Sequence, residues 1–124
     1  MLVTSILTDA GAWGQRGSPG FVATNAFGGV LDEKLAAEQY LRSGGLDYTI
    51  VRPSGLKDTP QGKLVVSAEN TINGMGNTGG EINRENVAKV CVQALLTGAS
   101  ANKVVEIYET KMADTEELPK EKWF

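Results

Sequence analysis

A chain of 124 residues with 41% apolar and 22% charged side chains has the make-up of one small globular domain and not of a disordered segment. Its net charge of −3 argues against nucleic acid as the main partner, because phosphate binding needs a basic face. With no histidine and a single cysteine, Ser-His-Asp and Cys-His catalysis, His-ligated zinc and an internal disulfide are excluded, and no apolar run approaches the roughly 20 residues of a membrane span.

Met1 to Leu7 is apolar and β-branched around Thr4 and Ser5, which predicts a buried strand over Leu2–Leu7 tipped by hydroxyls. A polar glycine-rich loop runs to Gly20. A helical pattern follows over Phe21–Arg42, with Leu31, Leu35 and Leu41 toward one side, and Ser43-Gly44-Gly45 stops it. Asp47–Val51 reads as a second strand closed by Arg52-Pro53, since proline cannot donate to a ladder. Ser54–Gly62 reads as loop and Lys63–Ser67 as a short strand. The stretch "NRENVAKVCVQALLTG" predicts a helix with Asn83 as N-cap, Gly98 just past its end, and Val87, Val90, Cys91, Ala94 and Leu95 as its apolar face. Cys91 sits there as a core residue. Lys103–Tyr108 is a last strand, and Glu109–Phe124 a charged tail whose Trp123-Phe124 is expected to dock. Strands alternating with helices imply a parallel α/β sheet.

Gly74-x-Gly76-x-x-Gly79 spells the dinucleotide-binding pattern GxGxxG. Its context fits poorly. Six residues separate the preceding strand from Gly74, the helix cap at Asn83 lies four residues beyond Gly79, and Glu109, the acid that ends the next strand, is 30 residues away where roughly 20 is usual. A plain glycine loop is the better reading.

More specific is "LDEKLAAEQYLRSGGLDYTIVRPSGL", joined by "INRENVAKVCVQALL" with Ile82, Arg84, Val87 and Ala88, and by the hydroxyl-tipped "LVTSIL". These segments resemble the atypical short-chain dehydrogenase/reductase family, in particular its plastid NAD(P)-binding members related to the NAD(P)-binding component of the chloroplast inner-envelope translocon. The resemblance covers residues 1–108 and only the second half of the family's domain. It implies an α/β fold, the C-terminal half of a Rossmann-like doubly wound parallel sheet. The family's phosphate-binding glycine loop follows its first strand, upstream of anything in this sequence, which agrees that the Gly74 loop is not the fingerprint. The strand Leu2–Leu7 would then have one side unpaired. The chain is therefore expected either to be part of a longer protein or to be covered along that strand by another chain.

Residue by residue, the resemblance implies cofactor contacts and no catalytic residue. Lys34 matches the lysine that bonds the nicotinamide ribose; read without the family, it is an exposed helix lysine paired with Glu38 at i+4. The family's acid/base tyrosine falls on Val30, which carries no proton, and neither Tyr40 nor Tyr48 is at the motif position. Thr4 and Ser5 match the catalytic-serine region, or simply end a strand. Pro53, Ser54, Gly55 and Leu56 match the loop closing over the nicotinamide. Arg84 is expected to pair with a carboxylate or anchor the late helix. The implied cofactor is NADP or NAD, bound only if the N-terminal half is present, with no metal and without tyrosine-based reduction. The implied location is the plastid stroma or the stromal face of the thylakoid. The alternative is a non-catalytic accessory subunit of a larger plastid complex, photosynthetic in kind and at most peripheral to a membrane.

Overall fold

Thr49–Pro53 (β2) lies inside the central sheet, with all five residues buried. It runs parallel to Leu2–Val3 (β1) on one side and to Lys103–Thr110 (β6) on the other, and Lys63–Ala68 (β4) closes the far edge antiparallel to β6. A separate parallel pair joins Gly55–Lys57 (β3) to Glu81–Asn83 (β5). The helices are Pro19–Asn25 (α1), Val30–Ser43 (α2) and Arg84–Leu96 (α3). The computed structural model describes residues 1–60, 62–72 and 81–124. Gly74, Gly76 and Gly79 lie outside the described residues. The described flanks already decide the motif's context, because β5 intervenes and α3 opens only at Arg84, capped by Asn83 through its side chain to Glu85 N.

Several expected boundaries move for physical reasons. β1 is laddered only over Leu2–Val3, although Thr4 N and Ile6 N still donate to the Val51 and Pro53 carbonyls. The next rung would need an N–H from Pro53, which proline lacks. The same proline does not end β2, because the β6 side of the ladder is carried by its neighbours, with Ser54 N donating to Ile107 O. The helix expected over Phe21–Arg42 is two helices. Gly28 and Gly29 take φ of 76° and 68°, outside the right-handed helical region, and Asn25 Oδ1 accepts from Leu31 N and Asp32 N to start α2. The expected loop Ser54–Gly62 contains β3, and β4 is antiparallel within an otherwise parallel sheet. β6 runs two residues beyond Tyr108.

The two faces of the sheet differ in kind. On one, Val51, Leu64, Val105 and Ile107 pack with Ile82, with Val90 of α3 and with Trp123, so the tail docks as expected. Cys91 is half-buried against this cluster, where burial pushes its thiol pKa up, as for a core cysteine. Leu95, expected on the apolar face of α3, is instead 74% exposed. On the other face β2 and β6 present Arg52 and Glu106, both buried.

Glu109 locks the apolar side. Its Oε1 accepts from Asn83 N and Asn86 Nδ2 at the start of α3, where a carboxylate also meets the positive end of the helix dipole, and its Oε2 accepts from Gly62 N. At Gly62 (φ 154°) an added Cβ would run into the Thr110 carbonyl. Gly62→Ala is therefore expected to cost roughly 2 kcal/mol or more, measured as the shift in a urea unfolding midpoint.

Candidate functional site

A cleft of about 530 Å³ opens at the carboxyl ends of β1 and β2, the end of a parallel α/β sheet at which ligands bind. Its wall contains all seven residues that the sequence pointed to: Thr4 and Ser5 after β1, Lys34 from α2, and Pro53, Ser54, Gly55 and Leu56 across the junction of β2 and β3. The remaining wall is mostly apolar, from Val3, Ile6, Leu7, Gly20 and Val87, with Thr24.

Beneath this wall lies a buried ionic network. Arg52 is fully buried, and its Nε and Nη2 donate to Glu38 Oε1 at 3.0 Å and Oε2 at 2.6 Å in a two-point grip. Nη1 donates to Asn70 Oδ1 at 3.0 Å, while Glu69, Glu106 and Asp9 stand 3.3, 3.6 and 3.9 Å away. Burial pulls the guanidinium pKa down, but the bonds to Glu38 and the charges of Glu38, Glu69 and Glu106 outweigh it and hold it above its ordinary value. Glu106 in turn accepts from Asn70 N and Ile72 N, fixing the turn after β4. At the rim, Arg42 grips Glu69 with two bonds, which lower the Glu69 pKa against the opposing effect of burial.

This network corrects one reading of the sequence, the pairing of Lys34 with Glu38. Glu38 pairs with Arg52 across the fold and not with Lys34 along the helix. Lys34 has no ion pair among the described residues and is half-buried at the cleft. Thr4 is not a free hydroxyl: its Oγ1 donates to Glu38 Oε1 at 2.6 Å. Arg84 pairs with Asp58 at 2.6 Å on the surface, away from any chemistry. Sequence reasoning missed Glu38 and Arg52 as the centre of this region. The signal was present as a carboxylate on the Leu31–Leu35 side of α2 and an arginine inside an apolar strand, both of which need a buried partner.

Among the described residues no tyrosine lines the cleft. Tyr40 is 83% exposed, Tyr108 packs against Ile6 and Ile72, and Val30 occupies the helix position one turn before Lys34. The chemistry of the wall still suits one end of a nicotinamide cofactor: an ammonium and a half-buried hydroxyl for ribose, an apolar surface for the ring, and a hydroxyl, Ser54 Oγ, buried without a partner among the described residues. A buried polar atom left unpaired is uncommon enough to require an explanation.

Comparison with known proteins gives the family. A family model described as NAD(P)H-binding matches residues 1–97. The chain belongs to this NAD(P)H-binding family. The NAD(P)H-binding chain is 46% identical over 108 residues to an uncharacterized chloroplastic protein of Arabidopsis thaliana, covering 86% of this chain and 37% of that protein. It is 35% identical over 117 residues to the chloroplastic protein TIC 62 of Oryza sativa subsp. japonica, covering 89% of this chain and 21% of that protein. Among solved structures, chuY from Escherichia coli CFT073 superposes with a TM-score of 0.70 at 30% identity, over 90% of this chain and 57% of that one. The chain thus spans well under half the length of the two plant relatives. The resemblance carried by "YTIVRPSGL" and the late helix, to atypical short-chain dehydrogenase/reductase proteins with a Rossmann-like fold, is borne out.

Removing one partner of the Arg52–Glu38 pair would leave a buried charge uncompensated. Arg52→Met is expected to destabilise the protein by about 3–5 kcal/mol, and the double variant Arg52→Met, Glu38→Leu to recover much of that loss; chemical denaturation of the three proteins measures both.

Proposed function

We propose that this chain forms the nicotinamide-side wall of an NAD(P) site in a plastid protein that lacks tyrosine-based reductase chemistry. The observation that carries the reading is the convergence of Thr4, Ser5, Lys34 and Pro53–Leu56 on one cleft at the carboxyl end of the sheet. Lys34 would hold the ribose hydroxyls with its unpaired ammonium. Ser5 would hold the same sugar from the opposite wall, and Thr4 would act through Glu38 as a spacer that fixes the end of β1. Pro53, Gly55 and Leu56 would pack on the ring and keep water from one of its faces. When bound, the nicotinamide gives or accepts a hydride, and the protein's share is then positioning, with no protonated tyrosine at hand. The family's phosphate-binding glycine loop would come from a segment or chain that pairs along the free side of β1, which among the described residues is bonded only to β2. The plastid assignment rests on the two chloroplastic relatives, and the stroma or the stromal face of the thylakoid is the compartment that goes with it.

Nicotinamide mononucleotide reaches only this side of the site and is the direct probe. Its titration is expected to shift the amide resonances of Ser5, Lys34 and Ser54–Leu56 above all others. Lys34→Met is expected to weaken binding roughly tenfold, the worth of a charge-assisted hydrogen bond. No shift at these residues, even at saturating probe, overturns the reading.

A second reading is favoured by the open edge. β1 offers an unpaired side with Val3 47% and Met1 46% exposed, and α3 exposes Leu95 and Leu96 at 74% and 78%. Unpaired strand edges beside apolar surface are usually covered. The chain would then be an accessory subunit of a larger plastid assembly, stabilised by a partner along Leu2–Leu7. Val3→Lys is expected to abolish co-purification with such an assembly at fixed stoichiometry while leaving the fold's circular dichroism unchanged; retention at wild-type stoichiometry rejects this reading.

A further inference from the structure

At the end of the sheet opposite the cleft, where β6 begins, a second hollow of about 480 Å³ lies over the apolar face. Its floor is Val66 and Ala68 of β4, two residues apart and so on one face of the strand, with Val105 of β6 opposite Ala68. Its outer wall is Trp123 and Phe124. That wall lies beyond residues 1–97, which the family model matches, and the hollow shares no lining residue with the cleft.

The wall is held in place. Trp123 is buried, its indole Nε1 donates to Leu118 O at 3.0 Å, and its backbone N–H closes the turn Lys120–Lys122 on Lys120 O. Lys122 and Phe124, its neighbours in the chain, are thereby fixed at the rim. Across from them Lys103 follows Asn102, whose left-handed φ of 59° and bonds to Tyr48 set the start of β6. Both lysines line the hollow, and neither has an ion pair among the described residues. The carboxylate that also lines it, Glu69, is already offset by the two-point grip of Arg42. On a chain of net charge −3, an apolar floor thus meets two uncompensated ammonium groups.

We propose that this hollow is a second binding site, for a small molecule with a planar apolar body and one carboxylate. The volume lies in the range of ligand pockets, which pair a mostly apolar lining with a few charged or polar groups. A flat body suits a wall of two aromatic rings over branched and small aliphatic side chains. Its carboxylate would accept charge-assisted hydrogen bonds from Lys103 and Lys122. The proposal stands apart from the nicotinamide reading, because the two sites lie at opposite ends of the sheet.

The probe is 1-naphthoate, and 1-naphthamide is its uncharged counterpart with the same body. In a titration of the full chain followed by amide and indole resonances, naphthoate is expected to shift Val66, Ala68, Lys103, Phe124 and the Trp123 indole above all others and to saturate. It is expected to bind roughly tenfold more tightly than naphthamide, the worth of hydrogen bonds to a charged group, and added salt should erode only the naphthoate affinity. The double variant Lys103→Gln, Lys122→Gln alters two exposed side chains, so its resonances elsewhere should stay in place, and it is expected to bind both probes alike. Shifts centred on the cleft or scattered over the surface, equal binding of the two probes by wild type, or an undiminished preference for naphthoate in the double variant each overturns the proposal.

Discussion

A guanidinium with no access to water sits in the middle strand of the sheet, and the arrangement of one whole face follows from satisfying it. Burying a single cation costs several kcal/mol unless its partners are close and well aimed. The partners of Arg52 come from separate parts of the chain: Glu38 from α2, Glu106 from the neighbouring strand, Glu69 and Asn70 from the turn after β4, and Asp9 from the loop after β1. These contacts tie α2, β6 and the turn after β4 to one side chain of β2. The pairing therefore adds little net energy compared with an apolar core, but it makes alternative packings of α2 and of the turn after β4 expensive. The opposite face, with Val51, Val105, Ile107, Val90 and Trp123, supplies the ordinary apolar burial.

The ionic face and the cleft share residues. Arg52 is followed directly by Pro53 and Ser54, and Glu38 lies one helical turn after Lys34. Glu38 also takes the proton of Thr4 Oγ1, which ties the end of β1 to α2. The wall of the cleft is thus built on elements fixed from behind by charge-assisted bonds. Sites supported in this way hold their geometry without spending the ligand's own binding energy on ordering them.

The chain belongs to an NAD(P)H-binding family, and among the described residues no tyrosine lines the cleft. Its hydroxyls are not equivalent. One is spent on structure, one serves a helix carbonyl, and one is held buried with its capacity unused. A structure that tolerates an unpaired buried oxygen on a rigid strand end does so at a cost, and such costs concentrate where ligands bind.

Much of this molecule is local and was legible from residues alone. The α3 helix could be placed from Asn83 to its end because its cap and its Val87–Val90–Ala94 spacing lie within a few turns. The strands around Ile50 and Val104 could be placed from their β-branched runs. The seven cleft residues came from the family resemblance, and the fold brought them to one wall. The break between α1 and α2 was written in Gly28-Gly29 but overridden by the longer apolar period around it. Other features depend on what meets across long stretches of chain. The lysine four residues from Glu38 was a plausible partner until Arg52, 14 residues on, proved closer. Thr4 read as matching the catalytic-serine region or as a strand end, and only the fold shows its hydroxyl bonded to Glu38. The ladder of Gly55–Lys57 with Glu81–Asn83 and the antiparallel run of β4 have no signal in spacing, because strand partners are chosen by packing and not by neighbours in sequence. The sequence by itself determined where the late helix and the strands around Ile50 and Val104 lie, and which chemistries are impossible without histidine. Only the tertiary structure decided which polar groups are already paired, since burial and pairing are properties of the assembled chain.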